Sequence, residues 1–349
     1  MPERPVPHAA AGETPAAAAG GPARPPALPG WLRVIAPGYP SAACVVTTTA
    51  PRVLFDTGFG SDLDRTTGLL EAAGAPAGTL DLIANTHWHS DHVGGNAGLQ
   101  ARHGVPVAAA AADAAAVNDR DPDACRAAWL DQPVEPYRVD VPLRAGDRLR
   151  AGPAEWEVVP TPGHTPVHIG FLCRAHGVLI AGDAVHAGDV GWLDIAADGV
   201  AAIDRALATV AALERLPVRV MISGHGPPIA DPAAALAAAR RRYAGMRADP
   251  SRAVGHACRR ILAFALMIHG PMTPAGVDEY LRGRPWLAGA AGALGRPPEA
   301  LAADLVAGMR ASGALRERDG LLECATPART PPAGWPCGPG MPRDWPPPG

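Results

Sequence analysis

Thr86-His87-Trp88-His89-Ser90-Asp91-His92-Val93-Gly94-Gly95-Asn96 follows directly on the apolar run Leu82-Ile83-Ala84-Asn85. Three imidazoles and a carboxylate fall within six positions of a chain that holds 12 His in 349 residues, a density that ordinary surface histidines do not explain. His and Asp are the ligand types of a zinc site, and alternation along an extended chain sets His87 and His89 on the same side. Further candidates recur downstream, each at the end of an apolar run and beside Gly or Pro. They are Thr161-Pro162-Gly163-His164-Thr165-Pro166, then Ala181-Gly182-Asp183, then Ser223-Gly224-His225-Gly226-Pro227.

Taken in this order, His-x-His-x-Asp-His, Thr-Pro-Gly-His, Gly-Asp and Gly-His-Gly-Pro resemble the metallo-β-lactamase-fold superfamily over roughly residues 30 to 235. The resemblance implies an α/β fold, an αβ/βα four-layer sandwich with the site along one edge. Carried over position by position, it implies that His87, His89 and His164 hold a first metal. Asp91, His92 and His225 would hold a second, with Asp183 bridging both. Two Zn²⁺ ions are the implied cofactor, although iron and manganese use the same ligand types. A zinc ion lowers the pKa of bound water to about 7, and a pair of metals also polarises the substrate oxygen. The implied nucleophile is a metal-bridging hydroxide, with Asp91 orienting it and accepting its proton. Asp56, in Val53-Leu54-Phe55-Asp56-Thr57-Gly58, is by resemblance the acceptor that orients a metal-bound imidazole; its other reading is a turn-forming Asp before Gly.

Two more histidines bear on the site. His168 opens the run His168-Ile169-Gly170-Phe171-Leu172-Cys173 and reads as a packing or orienting residue. His186 lies three residues beyond Asp183, where lactone-hydrolysing members of the superfamily carry a substrate-facing tyrosine. We therefore carry His186 beside Asp91 as a catalytic candidate that orients substrate or protonates a leaving group, set against an exposed loop histidine.

Composition narrows the function classes. The chain has no Lys, 31 positive charges that are all Arg, and a formal net charge of −3, which gives no whole-chain case for nucleic acid. No run approaches the roughly 18 consecutive apolar residues of a membrane span, and Met1 to Gly30 lacks the apolar stretch of a secretory signal. The expected setting is cytoplasmic. Six scattered Cys without a Cys-x-x-Cys pair indicate neither a disulfide framework nor a cysteine metal site.

The domain expectation is a disordered Ala/Pro-rich N-terminus over 1–29, a catalytic domain over 30–248, a winged-helix-like domain over 249–325 and a Pro-rich tail over 326–349. Helices are expected at about 61–74, 199–214, 233–246 and 256–269, then from Thr273-Pro274 and over Pro298 to Ser312. A hairpin turning at Asp319-Gly320 completes three helices and a hairpin after Asp249-Pro250. Residues 250–325 carry nine Arg against seven Asp plus Glu, a weak surplus for a nucleic-acid reader. A capping role, a dimer contact or a wall of the substrate cleft fits better. Arg240-Arg241-Arg242 reads as helix C-terminal charge or as an anion-binding edge.

Three function classes stand at this point. The first is a dinuclear zinc hydrolase of a small thioester, lactone or ester, resembling glyoxalase II-like hydrolases in motif. The second is a metal-dependent nuclease, and the third a mononuclear iron persulfide dioxygenase.

Overall fold

Strands buried on both faces carry no polar alternation, so they read as short apolar runs, and the chain has many of these. The computed structural model describes residues 27–332 and Trp335. Most of the expected N-terminal segment and much of the Pro-rich tail, Cys337 included, lie outside the described residues. A six-stranded sheet runs in the order β1 (Leu32–Ile35), β2 (Cys44–Thr47), β3 (Val53–Phe55), β4 (Leu82–Ala84), β5 (Val107–Ala110) and β6 (Val141–Leu143). Its first three strands are antiparallel, and β3 through β6 are parallel. A five-stranded sheet comprises β7 (Arg148–Ala151), β8 (Ala154–Pro160), β9 (Ile169–Cys173), β10 (Val178–Gly182) and β11 (Val220–Ser223). It is antiparallel except that β11 joins β10 in parallel.

The inner faces of the two sheets share one core, in which Leu32, Val45 and Phe55 meet Trp156, Phe171 and Ile180. The Phe55 ring lies 5.2 Å from Trp156 and 4.9 Å from Phe171. Each such side chain, fully buried, contributes roughly 1.5–3 kcal/mol of transfer free energy. Helices Leu63–Ala72, Asn96–His103 and Ala111–Asn118 cover the outer face of the first sheet, and Ala201–Leu213 and Pro232–Ala248 that of the second. The result is the expected αβ/βα sandwich.

Beyond the sandwich, helices Ser251–His269, Pro274–Leu281, Pro285–Leu294 and Pro298–Ala311 precede the hairpin of β12 (Leu315–Arg318) and β13 (Leu321–Cys324). The hairpin turns where expected: Asp319 and Gly320 both take positive φ, 52° and 76°, as a type I′ turn requires. Pro285–Leu294 is a helix the sequence reading did not contain. Glycine lowers helix propensity, yet Gly289 serves packing here, since a Cβ there would fall 2.6 Å from the Trp129 ring. The helical region shares its core with the outer face of the second sheet. It is also tied to the loop after Leu130, where Asp131 Oδ2 lies 3.2 Å from His269 Nε2 and 2.8 Å from Arg284 Nη1. No helix among the described residues is long and apolar enough to cross a membrane.

The first residues of the expected tail are docked. The Arg329 amide donates to the Tyr39 carbonyl at 2.9 Å, and its guanidinium reaches Asp62 Oδ1 at 3.2 Å and the Pro37 carbonyl at 3.1 Å. The five described cysteines are unpaired. Within the arginine run, Arg240 bonds Glu214 and Arg242 bonds Asp189, so these two are committed to ion pairs.

Candidate metal centre

The candidate ligands leave the sheets at one edge. Asp56 follows β3, Thr86 to His92 follow β4, His164 follows β8, Asp183 follows β10 and His225 follows β11. Carboxyl ends of parallel strands open into a shared crevice, which is where α/β sheets bind ligands. His87, His89 and His164 converge so that their ligand atoms lie within 4.8 Å of one another. The same holds for His87 with His92 and Asp183, and for Asp91 with His92 and His225. All seven residues proposed from sequence are thus brought together.

Individual contacts define two halves joined by Asp183. In the first, His89 Nδ1 and His164 Nε2 are 2.9 Å apart. In the second, His225 Nε2 lies 3.1 Å from Asp91 Oδ2, and His92 Nε2 3.7 Å from the same oxygen. Asp183 spans both, with Oδ1 3.3 Å from His92 and Oδ2 3.5 Å from His225 and 3.7 Å from His164. Gly224 makes the approach feasible, because a Cβ there would collide with Asp183 Oδ1 and the His92 ring.

The opposite edge of most rings is held. His92 Nδ1 bonds Asp56 Oδ2 at 2.8 Å, and the Thr86 hydroxyl donates to the same oxygen at 2.9 Å. That hydroxyl has spent its proton, so it accepts from His87 Nδ1 at 3.1 Å. The Thr86 amide donates to Asp56 Oδ1 at 2.8 Å, and His164 Nδ1 donates to the Trp192 carbonyl at 2.6 Å. Each bond puts the ring proton on the outer nitrogen and turns the Nε2 lone pair inward, the tautomer a metal-binding imidazole needs. His168 sits behind them as expected: its Nδ1 meets Thr161 Oγ1 at 2.7 Å while its Nε2 accepts the Asp183 amide at 3.1 Å.

These bonds leave His87 Nε2, His92 Nε2 and Asp183 Oδ1 buried without a hydrogen-bond partner among the described residues. A buried polar atom with no partner costs about 1–3 kcal/mol, so three such atoms facing a common space fit a divalent cation. The electrostatics divide the ligands: His87 and His89 are set neutral, while His92 carries a second proton that a bound cation would displace. Burial and the neighbouring imidazoles hold His87 and His89 well below the usual histidine range, in the neutral form that binds metal. Burial also pulls His92 down, but Asp91, Asp183 and Asp56 outweigh it and lift it to about 10. Burial likewise works against the Asp183 carboxylate, yet His225 and His92 keep it well below the usual range.

A pocket of about 360 Å³ opens onto this edge. Asp91, Asp183 and His225 form part of its floor, and His186 lines it with its ring 5.6 Å from that of His225. Several contributors escaped the sequence reading. Tyr39 stacks on His225 at 5.1 Å and 8° between planes, and Trp192 stacks on His89 at 5.3 Å and 13°. Phe264, Ile261 and Met267 enter from the Ser251–His269 helix, and Thr326 from the tail. Only the three apolar helix residues left a local signal, a spacing of three along a helix that elsewhere carries charge.

Comparison with known proteins agrees with this geometry. The family model described as the metallo-beta-lactamase superfamily matches residues 36–225. The chain belongs to that superfamily. Among curated relatives, a hydroxyacylglutathione hydrolase of Methylococcus capsulatus is 34% identical over 125 residues, 36% of this chain and 41% of that protein. One from Cereibacter sphaeroides is 37% identical over 114 residues, 33% and 37% of the respective chains. The chain thus spans about two fifths of the length of these relatives. Among solved structures, a metallo-beta-lactamase family protein from Thermus thermophilus superposes with a TM-score of 0.52 at 23% identity, covering 85% of this chain and 100% of that one. This last likeness speaks to the fold alone.

Proposed function

We propose that the protein is a metal-dependent hydrolase of a small acyl compound, with thioesters as the favoured class over lactones and esters. Two zinc ions would be held by His87, His89 and His164 on one side and by Asp91, His92 and His225 on the other, with Asp183 between them. The observation that carries this reading is the set of buried, partnerless atoms on His87, His92 and Asp183, which converge beside the pocket that Asp183 lines. The hydroxyacylglutathione hydrolase relatives support the thioester preference.

When bound, the metals supply an acidified water and a polarised substrate carbonyl. The remaining tasks belong to the chain. Asp91, only 8% exposed and at the edge of the pocket, holds the attacking water and takes its proton. The Asp56–Thr86 pair keeps the His87 and His92 rings turned inward, and the Trp192 carbonyl does the same for His164. His186 hydrogen-bonds the substrate on the side of His225. A thiol has a pKa near ~8.5 and leaves readily as thiolate, so this role is orientation for a thioester and proton donation for an ester.

The winged-helix-like region over 249–325 acts in this reading as a wall of the cleft. Its Ser251–His269 helix faces the pocket with Ile261, Phe264 and Met267, which suits a small molecule rather than a nuclease substrate. A one-iron oxygenase gives the Asp91, His92 and His225 group no task. The test is proton release in a pH-stat from a panel of thioesters, lactones and esters, with Asp91→Ala as control. Metal-dependent turnover absent from the variant supports the reading. Silence across the panel from metal-loaded protein, or one iron per chain in native preparations, overturns it.

A further inference from the structure

The substrate pocket is not closed by the sandwich and the helical region alone. Beyond the hairpin, residues 325–332 and Trp335 return to the catalytic domain and meet the pocket in three ways. Thr326 lines it directly. Arg329 acts one step away: its amide donates to the Tyr39 carbonyl at 2.9 Å and its guanidinium to the Pro37 carbonyl at 3.1 Å. Those bonds fix both ends of the turn that lays Tyr39 flat on His225. Trp335 acts through a chain of rings: it meets Phe59 edge-on at 4.7 Å, and Phe59 meets Phe264, a pocket wall, at 5.7 Å.

The anchor of this segment is costly to lose. Asp62 is 4% exposed, and burial raises its pKa while the Ser41 hydroxyl and Arg329 oppose that rise. Its carboxylate accepts from Ser41 Oγ at 2.7 Å, and its ion pair reaches Arg329 across 267 positions of sequence. A buried carboxylate left without its cation is strongly disfavoured, so the segment is held down by more than its own weak propensity.

Resting on the hydrolase reading, we propose that Thr326, Arg329 and Trp335 build a specificity wall of the active site, with Arg329 a positioning residue for Tyr39 and His225. The walls they brace are aromatic, Tyr39 and Phe264, and Ile261 and Met267 lie beside Phe264. The group they enclose is accordingly an apolar acyl chain, short enough for a pocket of about 360 Å³.

The test compares the full chain with Arg329→Gln and Trp335→Ala, each loaded with zinc for kinetics and with cobalt for spectroscopy. The substrates are acetyl, butyryl, hexanoyl and phenylacetyl thioesters of one thiol. The expected result for Arg329→Gln is a KM at least tenfold higher for butyryl and phenylacetyl thioesters with a smaller change in kcat, and an altered cobalt absorption band. Trp335→Ala should flatten the preference among acyl groups and leave the cobalt band alone. A role in stability only would lower the melting temperature of both variants while leaving acyl preference and cobalt band as in the full chain, and that result overturns the proposal. Binding of phenylacetate by calorimetry separates the two readings. If no thioester is hydrolysed but phenylacetate still binds the full chain tenfold tighter than Arg329→Gln, the hydrolase reading fails and the wall stands. Equal binding removes the wall as well.

Discussion

Replacing Asp56 with Asn tests whether the imidazoles are oriented from behind. Asp56 is 2% exposed and takes a φ of +58°, a left-handed conformation that Asn tolerates, so the backbone is spared. The carboxylate serves three donors: the Thr86 amide on one oxygen, and the Thr86 hydroxyl and His92 Nδ1 on the other. An amide satisfies the first with its oxygen and turns its NH₂ toward the other two, donor against donor. His92 then loses the acceptor that fixes its tautomer, and His87 is affected through the Thr86 hydroxyl. Loss of such an outer partner lowers metal affinity by about 10–100-fold, or roughly 1.4–2.7 kcal/mol. The mismatched donors cost metal-free protein about 1–3 kcal/mol. The assay is zinc titration against a chromophoric chelator, with thermal melts of metal-free protein. Weaker binding of the second equivalent and a lower melting temperature are expected. Unchanged affinity for both equivalents in a folded variant would refute the assignment of Asp56 as the orienting acceptor.

Three further outcomes follow from the same geometry. Gly224→Ala drives a methyl group into Asp183 and the His92 ring, so metal content by mass spectrometry should fall below one equivalent per chain in protein that still folds. Asp113 is buried with neither oxygen partnered among the described residues, and burial raises its pKa well above the usual range. A group whose folded pKa is raised favours the fold below its unfolded value near ~3.9 and loses that contribution as pH rises toward the folded value. Asp113→Asn should therefore raise the melting temperature, and its advantage should be larger at pH 8 than at pH 5; a pH-independent difference would contradict the account. Asp131→Ala leaves His269 and Arg284 without the carboxylate they share, and proteolysis should then release the helical region faster while zinc content is unchanged.

The candidate centre was legible because its residues come in four short motifs, each at the end of an apolar strand. Local sequence carries that kind of information well. What escaped was set by distance or by ambiguity. Residues 107–118 form a nearly continuous alanine-rich run, yet the chain is strand over Val107–Ala110 and helix over Ala111–Asn118. Parallel pairing of β5 with β4 draws that boundary, since β propensity depends on the neighbours a strand finds. Tyr39 and Trp192 act through a ring face and a backbone carbonyl, and no motif marks either. Arg329 sits in a Pro-rich stretch whose composition suggests disorder, and its order comes from a carboxylate far back in the chain. The glycines of Pro285–Leu294 lower helix propensity, but Gly289 gives Trp129 a place to pack.

Turnover of an acyl thioester, followed while metal-free protein is titrated with zinc, tests the central claim most directly. The account expects activity to rise to a plateau at two equivalents per chain and to be absent from Asp91→Ala at the same metal content. Two equivalents bound with no hydrolysis, or full activity in Asp91→Ala, would contradict it.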